Sequence, residues 1–277
     1  MRLGGPVFEK YETPDQWVEA LRRWGYRTGG CPVSVNTPVD IIREYAVTAE
    51  KADIVISEVG AWSNPLSPND AIRTQAIEKC KQSLALADAI GARCCVNIAG
   101  SRGEKWDGPC ADDLTEETFD MIVEVVRNII DDVKPLRTYY TLETMPWMYP
   151  DSADSYLRLI RAIDRKHFAV HFDPVNLVNS PQRYFQNGEL IRDFIARLGP
   201  YIRSCHAKDI LLGDRLTVHL EEVCPGKGAL DYRTYLRELS KLDRDVPLIL
   251  EHLHGAEEYR YAGEYIRGIA RELGCSI

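Results

Sequence analysis

The chain has 277 residues, of which 45% are hydrophobic and 27% charged, and its formal net charge is −8. This composition is typical of a globular protein with a large core, and the acidic balance argues against a general nucleic-acid binder, which normally presents a basic face. The apolar runs are too short to span a bilayer, no apolar segment follows the basic residue at the N-terminus, and the eight cysteines show no CxxC spacing. We therefore expect a cytoplasmic protein with reduced thiols and no membrane or nucleic-acid partner.

Short apolar runs alternate along the chain with longer segments of helical periodicity. The runs that predict strands end at Val7, lie around 28–35, and cover 53–59, 93–98, 138–143, 168–173, 201–206 and 247–251. The segments that predict helices cover 15–24, 38–52, 69–90, 115–134, 152–164, 188–198, 232–242 and 256–273.

Eight strand–helix units without a break in composition predict one domain, 1–277, folded as a (β/α)8 TIM barrel with a closed parallel sheet. An open doubly wound sheet is the alternative. Such a sheet usually carries a glycine-rich phosphate turn after its first strand, and Gly4-Gly5-Pro6 does not match that turn.

Polar residues end most of these buried strands. The third to eighth predicted strands end, in that order, at Glu58, Asn97, Glu143, Asp173, His206 and Glu251. In a closed barrel the carboxyl ends of all strands meet at one mouth, so residues tens of positions apart become neighbours.

Three carboxylates in one place repel each other unless a cation neutralises them. Glu143, Asp173, His206 and Glu251 supply three oxygen donors and one nitrogen donor, a set that suits one divalent ion. We expect Mn²⁺ first, with Mg²⁺, Co²⁺ or Zn²⁺ as alternatives. Open coordination positions would accept a sugar carbonyl and its adjacent hydroxyl. Any one of these residues alone is more often a solvated strand end, but four at consecutive strand ends favour a metal site.

Four further residues near the predicted mouth have two interpretations each. Trp62 and Trp147 follow the third and fifth strand ends, where they would stack on a sugar or cap the core. His171 would hold a metal ligand in place or pack inside the barrel. Lys208 would contact substrate or form a structural pair on the rim. The polar loop 101–108 is predicted to be a lid or specificity loop.

The sequence around these residues resembles the xylose isomerase-like TIM-barrel superfamily, and more narrowly the sugar phosphate isomerase/epimerase family that includes D-tagatose 3-epimerase. The segments that carry the resemblance are 141–147 (TLETMPW), 171–176 (HFDPVN), 205–209 (CHAKD), 225–232 (PGKGALDY) and 250–252 (LEH). The resemblance implies that the four donors bind one metal, and that Glu143 and Glu251 exchange protons with a sugar carbon next to a carbonyl.

The sequence departs from the epimerases at two positions. Asn176 stands where they often place a histidine, three residues after the aspartate ligand, and Leu212 stands where they place an arginine. With only six histidines, the chain also differs from the endonuclease IV branch, which needs more of them for three zinc ions. The candidate substrate contacts are Glu58, Trp62, Asn97, Trp147, His171, Asn176 and Lys208.

These features predict a divalent-metal-dependent sugar isomerase or epimerase that abstracts a proton next to a carbonyl through a metal-bound enediolate. The alternative is a lyase or deglycosidase of 3-oxo-glycosides, in which the same proton abstraction would expel the neighbouring anomeric substituent. A sugar-binding protein with a decayed site is a third class, and the four intact donors argue against it. A small sugar is the expected partner, and self-association is open, as are the identity of the sugar and its phosphorylation.

Overall fold

The computed structural model describes residues 1–277, and its strands alternate with helices along the chain. The strands are β1 (Arg2–Gly4), β2 (Thr28–Gly29), β3 (Val55–Ile56), β4 (Glu58–Gly60), β5 (Cys94–Asn97), β6 (Tyr140–Glu143), β7 (Phe168–Phe172), β8 (Ile202–Ala207), β9 (Asp209–Leu212), β10 (Leu220–Val223) and β11 (Pro247–Leu250). Nine of them form one sheet in the order β3-β2-β1-β11-β8-β7-β6-β5-β4, and β9 and β10 pair separately as an antiparallel hairpin.

The sheet closes because its two end strands are successive pieces of one extended segment. β3 pairs with β2 and β4 pairs with β5, and only Ser57 separates β3 from β4. Ser57 itself joins both sides, since its N–H donates to Gly29 O at 2.8 Å and its carbonyl accepts from Cys94 N at 3.3 Å. The predicted (β/α)8 barrel with a closed parallel sheet is confirmed.

The helices lie between the strands in the order that the sequence predicts. They are α1 (Pro14–Arg23), α2 (Val39–Lys51), α3 (Asp70–Ile90), α4 (Glu116–Val133), α5 (Ala153–Ile163), α6 (Pro174–Leu177), α7 (Pro181–Phe185), α8 (Asn187–Leu198), α9 (Tyr232–Leu239) and α10 (Gly255–Leu273). None of them combines the length and apolar character needed to cross a membrane.

Helix starts follow from side-chain caps. The side chains of Thr13, Asn69, Thr115 and Ser152 each accept a hydrogen bond from a backbone N–H in the first turn of the helix that follows. α3 is capped at its C-terminus by Gly91, whose φ of 77° is the left-handed conformation that favours glycine.

Three local features differ from the prediction. The first strand ends at Gly4 rather than Val7, because Pro6 has no N–H to donate to a sheet. The third strand is split at Ser57. The short helices α6 and α7 were not predicted, since each is too short to show a periodic pattern, and the hairpin β9–β10 was not predicted because β10 carries two exposed glutamates and no apolar run.

Candidate metal centre and active site

The four predicted donors lie together at the carboxyl ends of neighbouring strands. Glu143 is the last residue of β6, Asp173 follows β7, His206 lies near the end of β8, and Glu251 follows β11. One donor atom from each of these side chains lies within 4.8 Å of the other three. The closed sheet therefore brings together residues that are up to 108 positions apart in sequence (251 − 143).

Nδ1 of His206 faces the carboxylates of this group. It lies 3.0 Å from Glu143 Oε1, 2.7 Å from Glu251 Oε1 and 3.8 Å from Asp173 Oδ2. Asp173 and His206 are fully buried, and Glu143 is nearly so. A buried group of three carboxylates needs compensating positive charge, because water does not screen its repulsion.

Lys208 supplies part of that charge. Its ammonium lies 2.6 Å from Glu251 Oε1, 2.8 Å from Asp173 Oδ2 and 3.5 Å from Glu143 Oε1, although only 2% of the side chain is exposed. The side chain therefore enters the group of donors and does not lie on the rim.

Burial and charge act in opposite directions on the protonation of this group. Burial alone would lower the pKa of His206 and of Lys208. The nearby carboxylates instead raise both pKa values well above their usual range, and the largest contribution comes from Glu251 for His206 and from Asp173 for Lys208. Burial would raise the pKa of the carboxyls, but the two cations lower the pKa of Glu251 to about 2 and that of Asp173 far below its usual range. In the absence of a metal the carboxyls of Asp173 and Glu251 are thus ionised, and the imidazole of His206 and the amine of Lys208 are protonated.

The donor atoms fit a divalent ion. Asp173 Oδ2 and Glu251 Oε1 are buried and have no hydrogen-bond partner. The ammonium of Lys208 forms ion pairs with both oxygens. Asp173 Oδ1 is used elsewhere, since it accepts from Val175 N at 2.9 Å and thereby caps α6. Asp173 and Glu251 each therefore present one oxygen to a cation, a position that the Lys208 ammonium holds in part.

A second layer of polar side chains lies behind His206. Glu58 Oε1 is 3.3 Å from His206 Nε2, and Glu58 Oε2 lies 3.1 Å from His171 Nε2 and accepts from Ser204 Oγ at 2.7 Å. The two histidines hold the pKa of Glu58 well below its usual range, against the effect of burial. A carboxylate behind a histidine fixes the ring orientation, and here it directs Nδ1 toward the other three donors.

Glu58, His171 and His206 also satisfy the spacing of a metal-binding group. The hydrogen bonds from Ser204 and the histidines already occupy the Glu58 carboxylate, whereas in the four-donor group Asp173 Oδ2 and Glu251 Oε1 have no hydrogen-bond partner. The four-donor group is therefore the better candidate.

A cavity of about 270 Å³ opens onto the four-donor group. Its polar lining includes Glu143, Glu251, Asn176 and Lys208. Asp107, Glu222 and His252 also line it, although none of them was predicted as a substrate contact. The full lining is Trp62, Ile98, Trp106, Asp107, Glu143, Met145, Asn176, Lys208, Glu222, Glu251 and His252.

Two larger depressions, of about 700 and 780 Å³, contain none of the four donors and share Arg93 and Arg137, which precede β5 and β6. They lie at the amino ends of the strands, where barrel enzymes do not place catalytic residues.

The predicted substrate contacts divide into two sets. Trp62, Asn176 and Lys208 line the cavity, and Asn176 Nδ2 donates to Glu143 Oε1 at 3.2 Å. The loop 101–108, predicted as a specificity loop, contributes Trp106 and Asp107 to the lining.

The other predicted contacts do not line the cavity. Glu58 and His171 lie behind His206 as described. Asn97 is fully buried, with its amide bonded to Ser63. Trp147 lies outside, where its Nε1 donates to Asp107 O at 3.0 Å. Their roles in substrate binding stay predictions.

Comparison with known proteins establishes the family. The family described as xylose isomerase-like TIM barrel matches residues 18–269, and the chain belongs to it. No curated protein sequence matches the chain significantly.

Proteins of solved structure that share this fold are named for different reactions. A D-psicose 3-epimerase from Clostridium cellulolyticum H10, solved with D-tagatose, matches with a TM-score of 0.69 and 14% identity, over 100% of both chains. A probable 3-DHS dehydratase from Bacillus anthracis matches with a TM-score of 0.71 and 17% identity, over 97% of this chain and 98% of that one. A 3-keto-D-glucoside 4-epimerase from E. coli matches with a TM-score of 0.68 and 14% identity, over 97% of this chain and 99% of that one. At these identities the likeness shows the fold alone.

Proposed function

We propose that this protein is a divalent-metal-dependent isomerase or epimerase of a small sugar, acting by proton abstraction next to a carbonyl. The observation that carries the proposal is that Glu143 and Glu251 both line the cavity and both belong to the four-donor group. Two carboxylates beside one bound substrate can remove a proton from a carbon and return one to it. The epimerases with the same fold act on ketoses and keto-glucosides, as their names state.

The residues of the chain would divide the work as follows. Glu143, Asp173, His206 and Glu251 would hold the ion, which supplies Lewis acidity to a carbonyl when bound. Glu251 lines the cavity as a carboxylate, so it is placed to accept a proton from a bound substrate. Lys208, whose ammonium lies beside Glu251 in the cavity, can donate a hydrogen bond to the developing negative oxygen.

The cavity favours an unphosphorylated substrate. Lys208 is its one strongly basic side chain, whereas Asp107, Glu143, Glu222 and Glu251 are acidic. Two added charges from a divalent ion would not make this lining positive, because the buried Asp173 carboxylate adds to the negative total. A phosphate group would be repelled by such a lining. The volume of about 270 Å³ is just below the range of about 300–1,000 Å³ for drug-sized ligands and suits a monosaccharide.

A mass-resolved screen tests this proposal. Ketoses, aldoses and 3-oxo-glycosides are incubated with the Mn²⁺-loaded protein and separated by chromatography coupled to mass spectrometry. The proposal expects a product that has the mass of its substrate and that is absent from chelator-treated and E251Q samples. Full turnover by metal-free protein would refute the proposed metal dependence.

A second candidate, elimination from a 3-oxo-glycoside, uses the same proton abstraction. The apolar part of the lining, formed by Trp62, Ile98, Trp106 and Met145, offers space for an uncharged leaving group. One protein with this fold is a probable dehydratase, a reaction that also expels a group. The screen separates the candidates, because a lyase product loses the mass of the aglycone whereas an isomerase product does not.

Three further proposals accompany this function. We propose that residues 1–277 work as one domain, that the protein acts in the cytoplasm in carbohydrate metabolism, and that the native ion is Mn²⁺. The donor set supports the last of these, because oxygen-rich sites with one imidazole suit Mn²⁺.

A further inference from the structure

We propose that Glu222 and His252 form a sugar-recognition pair that binds hydroxyl groups away from the reacting carbonyl and thereby selects the configuration of the sugar. The inference rests on the proposed function, because it assigns the substrate contacts of the same site. Neither residue is among the predicted substrate contacts.

The two side chains meet in the cavity from different parts of the fold. Glu222 lies on β10 of the hairpin, and His252 follows the donor Glu251 after β11. His252 Nδ1 lies 3.1 Å and 3.2 Å from the two carboxylate oxygens of Glu222. Both residues line the cavity, and 33% of the Glu222 side chain and 59% of the His252 side chain are exposed. A ligand can therefore reach both.

The backbone at His252 explains how two consecutive residues face one cavity. In an extended strand, the side chains of neighbouring residues point to opposite faces. His252 has φ of 58°, a left-handed conformation that residues other than glycine adopt rarely. This turn places His252 in the cavity lining next to Glu251. Uncommon backbone conformations of this kind concentrate at functional sites.

The hairpin that carries Glu222 is held firmly at its base. The buried carboxylate of Asp209 accepts hydrogen bonds from four backbone N–H groups, those of Ile210 at 2.8 Å, Gly226 at 2.9 Å, Gly228 at 3.1 Å and Leu230 at 2.8 Å. Val223, next to Glu222, pairs with Asp209 in the hairpin register. These hydrogen bonds therefore fix the position of the strand that carries Glu222.

The chemistry of the pair suits a diol. A carboxylate accepts several hydrogen bonds, and Glu222 has His252 as its hydrogen-bond partner, with Lys208 Nζ 3.8 Å away. It therefore keeps acceptor capacity for two adjacent hydroxyl groups of a sugar, while the imidazole offers a further polar contact. Glu222 is outside the four-donor group, so it would bind the part of the sugar that the metal does not.

The neighbouring residue Glu221 provides a matched control. It lies on the same strand but faces away, pairs with Arg215 at 3.3 Å, has 57% of its side chain exposed and does not line the cavity. Glu221→Gln and Glu222→Gln therefore make the same chemical change one residue apart, with different expected effects.

The test measures binding and turnover of D-fructose, D-tagatose and D-psicose, and of their 4-, 5- and 6-deoxy analogues, with Mn²⁺-loaded protein. Calorimetry gives affinities, and metal analysis verifies that each variant keeps its ion. We expect E222Q and H252Q to weaken binding of the preferred ketose by roughly 10-fold, the usual effect of losing a hydrogen bond to a charged group. The loss should appear in KM more than in kcat, and E221Q should match the wild type.

The deoxy analogues separate recognition from general damage. E222Q should lose little further affinity for the analogue that lacks the recognised hydroxyl, because that contact is already absent. Equal losses for every analogue, or wild-type affinity in both E222Q and H252Q, would overturn the pair's role. If the wild type binds none of these ketoses, the pair's role fails, and the proposed function fails only if the mass-resolved screen also finds no converted sugar. If the wild type binds ketoses but the screen finds no conversion of any sugar, only the proposed function fails.

Discussion

The ammonium of Lys208 lies 2.8 Å from Asp173 Oδ2, and both side chains are buried. The lysine thus neutralises part of the charge of the donors that we propose to bind a divalent ion. Two cations cannot fully share one group of oxygens, so the ion and the ammonium compete for the same negative charge.

Lys208→Met should therefore strengthen metal binding and weaken the metal-free protein. Removing the competing charge is expected to tighten Mn²⁺ binding by about 10-fold, which corresponds to an electrostatic interaction of about one pKa unit. The metal-free variant should melt at a lower temperature than the wild type, because buried carboxylates lose their partner. Calorimetric Mn²⁺ titration and thermal melts measure both effects.

Lys227→Met is the control for this experiment. Lys227 is 53% exposed and pairs with Glu258 outside the donor group, so its removal should change neither quantity. Weaker Mn²⁺ binding in Lys208→Met than in Lys227→Met would contradict the competition between the ammonium and the ion.

Metal affinity should rise with pH. The surrounding carboxylates raise the pKa of His206 well above its usual range, so in the metal-free protein the imidazole is protonated at neutral pH. A metal needs the free nitrogen lone pair, and binding therefore releases a proton. Affinity should increase by about tenfold per pH unit below the His206 pKa and level off above it. Mn²⁺ titrations between pH 6 and pH 8 test the sign, and an affinity that stays constant or falls over this range would refute it.

Glu58→Gln should lower the affinity of the site for the metal, although Glu58 is not one of the four donors. The carboxylate of Glu58 lies 3.3 Å from His206 Nε2 and fixes the ring that presents Nδ1 to the other donors. Loss of such a partner typically lowers metal affinity by about 10- to 100-fold. Activity should recover in part at high Mn²⁺ concentration. Unchanged Mn²⁺ affinity, with E221Q as the reference, would show that Glu58 does not orient His206.

The sequence predicted the four donors because each comes at or next to a strand end, and the barrel fixes where strand ends meet. The direction of a side chain was harder to predict. Glu58 was predicted to end the third strand, but the break at Ser57 makes it the first residue of β4, and the Glu58 carboxylate contacts His171 and Ser204 behind the donors.

Glu222 could not be predicted for a different reason. It lies on a strand of a hairpin inserted after β8, and the sequence of that strand, LEEV, lacks the buried apolar run that marks strands of equal length such as β6. His252 depends on a left-handed backbone conformation that nothing in its residue type indicates. Trp147 follows a strand end as Trp62 does, yet its indole is drawn to the carbonyl of Asp107.

Ligand and base should be separable by two conservative changes. Glu251→Gln keeps an oxygen donor but cannot accept a proton, so metal occupancy should survive while turnover falls by about 10²- to 10⁴-fold. Asp173→Asn should act mainly through the metal, because Asp173 is proposed only as a ligand, and its activity should recover in part at high Mn²⁺ concentration. Near-normal turnover by metal-loaded Glu251→Gln would show that Glu251 does not carry the proton.

The most direct test of proton abstraction next to a carbonyl is turnover in D₂O. Glu251 is partly accessible from the cavity, with 20% of its side chain exposed, so a proton held there should exchange with solvent. We predict deuterium at the carbon next to the carbonyl in the product of the Mn²⁺-loaded wild type, and none with Glu251→Gln. Full conversion in D₂O with no deuterium bound to carbon would contradict it and point to a hydride shift.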